Sequence, residues 1–308
     1  MMNSVFSRLI ILIGWIPLIS CDRPVQHTES RRPHILATTG MVADMIQHIA
    51  GDSASVEALM HAGVDPHLYK ASQGDLRKIL DADYLFYNGV HLEGKLASIL
   101  EKQARVKPVI AVGETINNLI AVGDGIYDPH IWFDVSIWKK ATAHAADELA
   151  RLDTTNRAYY LANARAYILR LDSLDTWIHE RIASIPSNQR VLVTAHDAFS
   201  YFGRAYGIQV RGLQGISTLS EFGLQDVSSL VDFLVTRHIP AVFVESSVSD
   251  RSLKAVLAGV HQRGGHVQIG GNLFSDAMGT PGTPEGTYIG MVTYNVNTIV
   301  KALGGNTR

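Results

Sequence analysis

Cysteine is nearly absent from this sequence, and its scarcity limits the disulfide bonds that the chain can form. Cys21 is the only cysteine in 308 residues, so a disulfide cannot form within one chain. A strong charge of either sign is missing too: the formal net charge is −2, whereas a nucleic-acid-binding protein carries a basic stripe. HExxH and GxSxG motifs do not occur. The sequence therefore excludes a disulfide framework and argues against nucleic-acid binding and against two common hydrolase classes.

Apolar runs long enough to cross a membrane are missing as well, and the one clear run is short. Residues 9–19 (LIILIGWIPLI) are uncharged and mostly apolar, but a helix needs about 20 residues to span a bilayer. Their length and position are typical of a secretory signal. The run ends in LIS followed by Cys21, which resembles a bacterial lipobox, where the cysteine is lipidated after cleavage. A signal peptide with a chance cysteine is the alternative.

The organisation predicted from this start is an exported chain with a lipid anchor. Residues 1–20 are the expected signal peptide, and residues 21–32 are a polar, proline-containing tether that begins at Cys21. The rest of the chain is too long for one small core, which predicts two lobes. We expect an N-terminal lobe at residues 33–152, a bridging helix at 153–185 and a C-terminal lobe at 186–308.

Short β-branched or apolar runs alternate with helical patterns on both sides of the predicted bridge. This alternation predicts βαβ units and an α/β fold, with a small doubly wound, mainly parallel sheet in each lobe. The predicted strands are residues 34–39, 55–60, 84–88, 109–112, 191–195, 209–213, 241–245 and 267–269. The predicted helices are residues 41–50, 71–80, 91–102, 135–151, 154–185, 198–206, 221–236, 252–264 and 287–303.

Residues 154–185 hold the longest uninterrupted helical pattern. They contain no glycine or proline, and apolar residues recur at helical spacing from Leu161 to Ile182. At 1.5 Å per residue the helix would extend about 48 Å, which is long enough to run along two lobes. Two helices broken near Asp172 and Ser173 are the alternative.

A repeated tripeptide presents two histidines. Asp-Pro-His occurs at residues 65–67 and again at residues 128–130, after the second and the fourth predicted strand. Proline fixes its own φ and biases the preceding aspartate towards extended backbone. His67 and His130 are therefore each expected on a defined loop end.

His196 and Asp276 add two candidate ligands from the second half of the chain. His196 follows the apolar strand 191–195, and Asp276 lies just past the last predicted strand, where open α/β sheets bind ligands. With His67 and His130 they form an N₃O set, which suits zinc and is compatible with manganese or iron. Other histidines are expected to be solvated or locally hydrogen-bonded: His27, His48, His61, His91, His144, His179, His238, His261 and His266.

Five segments carry a resemblance to a known family. They are DPHLY (65–69), DPHIWFD (128–134), VTAHDAFSYF (193–202), VFVESSV (242–248) and VQIGGNLFSDAMG (267–279). Together they resemble, in the family's order, the TroA-like zinc- and manganese-binding proteins of ABC importers. The similarity extends over residues 34–303.

The resemblance implies two α/β lobes bridged by a rigid helix, with one Zn²⁺ or Mn²⁺ per chain held in the cleft as the transported ligand. It implies the ligands His67 and His130 from the first lobe, and His196 and Asp276 from the second. It also implies a monomeric binding protein rather than an enzyme, with an ABC permease and its ATPase as partners. A histidine at position 196 resembles the zinc-associated members and the treponemal type, which handles both metals. Residues 117–127, however, lack the histidine-rich loop of zinc-dedicated members.

Three further residues are expected to support the site. Glu245 ends a predicted strand, and a metal-bound histidine usually passes its other N–H to a carboxylate; helix capping is the alternative for Glu245. Asp197 is a candidate either to orient His196 or to cap the next helix. Trp132 and Phe199 are candidate walls of the site, although core packing is favoured for Phe199.

Other functions fit parts of the sequence. A metalloenzyme needs an open metal position and a nearby base, and four protein ligands argue against one. A surface adhesin on the same scaffold would not need the metal ligands. A siderophore- or cobalamin-binding protein shares the long helix but needs a larger cleft without clustered ligands.

Overall fold

The structure, a computed structural model, describes residues 31–123, 125–219 and 223–306. The predicted signal peptide, Cys21 and the tether up to residue 30 lie outside these ranges. Among the helices that are described, none combines the length and hydropathy needed to cross a bilayer.

The first lobe is built on four parallel strands in the order β2-β1-β3-β4. Neighbouring strand residues alternate between two apolar clusters: Ile35 faces one, and Leu36 faces the other. Both faces of the sheet are therefore covered, as parallel sheets require. The strands are His34–Ala37 (β1), Ser55–Ala58 (β2), Tyr84–Tyr87 (β3) and Val109–Ala111 (β4). The helices are Gly40–Ala50 (α1), Gln73–Asp81 (α2) and Ala97–Gln103 (α3).

Between the two sheets lie a small hairpin and two long helices. Ala121–Gly123 (β5) and Ile126–Tyr127 (β6) pair antiparallel. Val135–Leu152 (α4) packs against Arg157–Ala183 (α5). The 27 residues of α5 form one uninterrupted helix, about 40 Å long, so the alternative of two broken helices is wrong.

The second lobe repeats the plan with four parallel strands in the order β10-β9-β7-β8. Every residue of the central strand β7 is buried. The strands are Val191–His196 (β7), Gln209–Gln214 (β8), Ala241–Glu245 (β9) and Gln268–Leu273 (β10). The helices are Ser200–Tyr206 (α6), Leu224–Arg237 (α7), Arg251–Gln262 (α8) and Tyr288–Ala302 (α9).

One apolar cluster is shared by the two lobes. It contains Ile35 and Phe86 of the first sheet, Leu192 and Phe243 of the second, and the buried face of α5. The fold class predicted from the sequence, two α/β lobes with parallel sheets, is confirmed. The residue numbers at which we divided the lobes stay predictions.

Several element boundaries differ from the prediction for physical reasons. The predicted helix 91–102 begins only at Ala97, because Gly89, Val90 and His91 have φ of 81°, 53° and 63° and cannot start a right-handed helix. The last strand, predicted to end at residue 269, continues through Gly270 to Leu273. Glycine is required there, since a Cβ at residue 270 would lie 2.8 Å from the ring of Phe243.

Candidate metal centre

Three of the four candidate ligands lie at or beyond the carboxyl ends of parallel strands, and the fourth, His130, follows the antiparallel hairpin of β5 and β6. His67 is in the loop after β2, His196 is the last residue of β7, and Asp276 follows β10. His130 precedes a short 3₁₀ turn, Ile131–Phe133, that leads into α4. Their side chains are buried, with relative exposures of 4% for His67, 0% for His130 and His196, and 2% for Asp276.

Each Asp-Pro-His motif forms the same local turn. The Oδ1 atom of Asp65 accepts from the His67 N–H at 2.8 Å, and the Oδ1 atom of Asp128 accepts from the His130 N–H at 2.9 Å. This is the backbone turn that an aspartate side chain stabilises two residues ahead of it. The Asp65 carboxylate also accepts from the Thr218 hydroxyl at 2.6 Å, which ties the first turn to the second lobe.

The four side chains converge on one point. The Nε2 atom of His130 lies 3.4 Å from Nε2 of His67 and 3.2 Å from Asp276, and Nε2 of His196 lies 3.3 Å from Asp276. All four candidate ligand atoms lie within 4.8 Å of one another. A tetrahedral zinc ion with bonds of about 2.0–2.1 Å separates its ligand atoms by about 3.3 Å. The spacing of this cluster therefore fits a single small cation.

Within the described residues, three atoms at the centre of the cluster make no well-directed hydrogen bond, although Asp276 faces Nε2 of His130 and of His196 at 3.2 and 3.3 Å. They are both carboxylate oxygens of Asp276 and Nε2 of His196, all fully buried. Buried polar atoms are nearly always satisfied by hydrogen bonds, water or a metal. A cation at the centre of the cluster would satisfy all three at once.

Two carboxylates contact the Nδ1 atoms of two imidazole rings, on the side opposite the Nε2 atoms at the centre of the cluster. Asp128 Oδ1 lies 2.7 Å from Nδ1 of His130, and Glu245 Oε2 lies 2.6 Å from Nδ1 of His196. Glu245 also accepts from the His196 N–H at 2.9 Å. In the neutral rings this keeps the proton on Nδ1 and leaves the Nε2 lone pair for a metal. Sequence reasoning missed Asp128, although its place in the repeated tripeptide was a usable signal.

The other predicted supporting residues fall on the edge of the site. The Asp197 carboxylate accepts from the Ser200 hydroxyl at 2.9 Å, at the start of α6 rather than on the imidazole of His196. Trp132 presents its ring edge-on to His130, with 5.2 Å between ring centroids. Phe199 stacks on Phe133 and belongs to the core.

Without a metal, the protonation of the cluster depends on burial and on the electrostatic interactions between its histidines and carboxylates. Burial opposes protonation of His130, but Asp128 and Asp276 outweigh it and raise its pKa to about 9. Burial is likewise outweighed at His196, where Asp276 and Glu245 raise the pKa well above its usual value. At His67 burial dominates and lowers the pKa to about 4. Desolvation disfavours the charged form of Asp276, yet His196 and His130 hold its pKa well below the usual range.

Two α/β lobes joined by a long helix, with a buried cluster of three histidines and one aspartate between them, define a two-lobed binding protein. The chain belongs to the family described as "ZnuA: Zinc-uptake complex component A periplasmic", whose model matches residues 35–302. The resemblance seen in the sequence motifs is thereby confirmed.

Named relatives and a solved structure agree with this family. The chain is 49% identical over 272 residues to the manganese-binding lipoprotein MntA of Bacillus subtilis (strain 168), covering 87% of this chain and 89% of that protein. It is 44% identical over 274 residues to the zinc-binding protein TroA of Treponema pallidum (strain Nichols), covering 88% and 89%. The structure of the periplasmic zinc-binding protein TroA from Treponema pallidum matches with a TM-score of 0.86, covering 88% of this chain and 99% of that one.

Proposed function

We propose that this chain is the extracytoplasmic binding protein of an ABC importer and that it captures a divalent transition metal. The observation that carries the proposal is the buried cluster of three imidazoles and a carboxylate, whose candidate ligand atoms lie within 4.8 Å of one another. Among the described residues, the buried oxygens of Asp276 make no well-directed hydrogen bond, and a bound cation would satisfy them. Membership of the zinc-uptake family supports the transport role.

His67, His130, His196 and Asp276 are the ligands in this proposal. Once the imidazoles have lost their extra protons, the three neutral rings and one carboxylate carry a charge of −1, so a bound divalent cation brings the ligand set to +1. Four protein ligands complete a tetrahedral shell and leave no position for a reactive water. The metal is therefore cargo, one ion per chain, and the protein is a binding protein rather than an enzyme.

Zinc and manganese are the two candidate metals. Three imidazole nitrogens favour zinc, and zinc binds more tightly than manganese to nearly any site of this type. The relatives are named for both metals. Because the ligand atoms pack so closely, the site has room for an ion and not for a siderophore or a cobalamin.

The cellular setting is part of the same proposal. Relatives are named as lipoproteins and as ABC-transporter substrate-binding lipoproteins, which supports export, a lipid anchor at Cys21, and a permease with its ATPase as partners. We propose a monomer with lobes at residues 33–152 and 186–308 joined through residues 153–185.

Metal uptake in cells tests the transport role. In cells from which the gene is deleted, the wild-type chain should restore uptake of radioactive zinc or manganese, and Asp276→Ala should not, because it removes the only charged ligand. Asp147→Ala, at an exposed position of α4, is the matched control and should restore uptake. Equal uptake with Asp276→Ala and wild type would contradict the proposal.

A further inference from the structure

Trp132 makes two hydrogen bonds that cross from the first lobe to the second. Its indole Nε1–H donates to the carbonyl of Ser275 at 3.1 Å, and its own carbonyl accepts from the Tyr288 hydroxyl at 2.7 Å. All three residues have a relative exposure of 0%. Trp132 is therefore bonded at its side chain and at its backbone to two separate segments of the opposite lobe.

The indole bond ends beside a proposed metal ligand. Ser275 immediately precedes Asp276, so the indole fixes the peptide that carries the carboxylate. On its other side the Trp132 ring meets the ring of His130 edge-on, at 5.2 Å and 67°. One side chain thus contacts a ligand of the first lobe and the backbone of a ligand of the second.

The Tyr288 end of this connection reaches the helical frame. Tyr288 is the first residue of α9, and its N–H donates to the Asp44 carboxylate on α1 at 3.2 Å. The same carboxylate accepts from the hydroxyl of Tyr167, on the long helix α5, at 3.2 Å. The connection therefore runs from the cluster to the helices that hold the lobes together.

We propose that Trp132 is a positioning residue: an interlobe latch that holds Asp276 opposite His130 and thereby sets the rate of metal release. The inference rests on the proposed function. Any opening that separates the ligands of the two lobes has to break the indole bond and leave the Ser275 carbonyl unpaired, which is costly for a buried acceptor. The latch therefore slows dissociation of a metal held between the two lobes.

Trp138 provides a matched control within the same chain. It is fully buried on α4 and stacks on Tyr288 with 5.4 Å between ring centroids. Its indole Nε1, however, has no hydrogen-bond partner in the part of the chain that the structure describes. Trp→Phe at position 132 or 138 removes the same atoms from a buried ring, but only Trp132→Phe breaks a bond between the lobes.

The experiment compares zinc kinetics of wild type, Trp132→Phe and Trp138→Phe by stopped-flow exchange with a chromophoric chelator. We expect zinc to leave Trp132→Phe roughly 10- to 100-fold faster than wild type, as the loss of a hydrogen bond to a buried acceptor implies, and to leave Trp138→Phe at close to the wild-type rate. The melting temperature of each metal-free variant reports the stability lost by its substitution, and that of Trp132→Phe should be lowered further because this substitution also leaves the buried Ser275 carbonyl unpaired.

Other outcomes would contradict the latch alone or the proposed function together with the latch. Release from Trp132→Phe at the rate of Trp138→Phe would overturn the latch and leave the proposed function standing. Failure of the wild type and Trp138→Phe to bind zinc or manganese at all would overturn the proposed function and the latch with it. If Trp132→Phe does not fold, replacing the indole of Trp132 by benzothiophene, which exchanges only Nε1–H for sulfur, takes its place: faster release supports the latch, and wild-type release overturns it.

Discussion

At the residue scale, the chemistry of the cluster depends on carboxylates that do not point at its centre. Asp128 and Glu245 each lie within 2.7 Å of the Nδ1 atom of a proposed ligand. They fix the ring orientation and raise the basicity of the opposite nitrogen. Both carboxylates are buried beside the rings, so the imidazoles and carboxylates interact strongly with one another.

Glu245→Gln should weaken zinc binding by roughly 10- to 100-fold, because the neutral amide no longer compensates positive charge on His196. The amide oxygen can still accept from the His196 N–H, so the fold should be retained. Chelator competition measures the affinity, and Glu101→Gln, at an exposed position of α3, is the control. Wild-type affinity in Glu245→Gln would remove Glu245 from the site.

Zinc affinity should rise with pH between about 6 and 8. In the metal-free protein His130 keeps its second proton up to its raised pKa of about 9, and the pKa of His196 is also raised. Each such proton has to leave before Nε2 binds a metal, so affinity should increase about tenfold per pH unit for each proton displaced. Calorimetric titration in buffers of different ionisation enthalpy counts the released protons. A pH-independent affinity without proton release would contradict this.

The proposed ligand set was predicted from the sequence, whereas its supporting contacts were not. His67 and His130 stand out because the same tripeptide recurs, and His196 because it ends a run of apolar residues. Which carboxylate meets which ring depends on the packing of separate strands. Asp128 could be found only from the turn that it makes with His130, and the bond of Asp65 to Thr218 joins residues 153 positions apart.

At the element scale, parallel strands of the two sheets place His67, His196 and Asp276 at their carboxyl ends, whereas His130 lies between the hairpin and a 3₁₀ turn. The central strands β7 and β9 were the most predictable, because they are almost entirely buried and mostly apolar, whereas β2, β8 and β10 are partly exposed. The hairpin of β5 and β6 was not, since its residues are exposed and carry no alternating pattern. The start of α3 was mispredicted because Val90 adopts a left-handed conformation that its sequence does not favour.

The continuity of α5 gives a stability prediction at this scale. Leu169 lies in its middle and is 67% exposed, so its substitution changes helix propensity more than packing. Leu169→Gly should lower the free energy of unfolding by about 1 kcal/mol relative to Leu169→Ala, as measured by urea denaturation. The Ala variant serves as the control for the lost side chain. Equal stability of the two variants would show that this position is not in a helix.

At the scale of the whole molecule, binding a metal and bringing the lobes together are one event, because each lobe supplies two proposed ligands. Several contacts already join the lobes without a metal. The Tyr201 hydroxyl donates to the Asp128 carbonyl at 2.8 Å and accepts from the Ile120 N–H at 3.1 Å. The shared apolar cluster, with α5 at its centre, further limits rotation of one sheet against the other.

Metal binding should therefore change the overall shape only slightly. Small-angle X-ray scattering of the metal-free and zinc-loaded chain should give nearly superimposable curves, since closure is confined to a small tilt or a local rearrangement near the cluster. Trp138→Phe, which leaves the interlobe bonds of Trp132 intact, should behave like wild type. A marked compaction on adding zinc, of the kind produced by hinge closure, would contradict the rigid bridge.

Metal content tests the central claim most directly. The mature protein, purified without added metal or affinity tag, is analysed by mass spectrometry beside His67→Ala/His130→Ala and a control with exposed histidines replaced, His261→Ala/His266→Ala. We predict about one zinc or manganese ion per chain in the wild type and the control, and none in the first variant. Absence of stoichiometric metal from the wild type, even after refolding with zinc, would contradict the assignment of a metal site to this cluster.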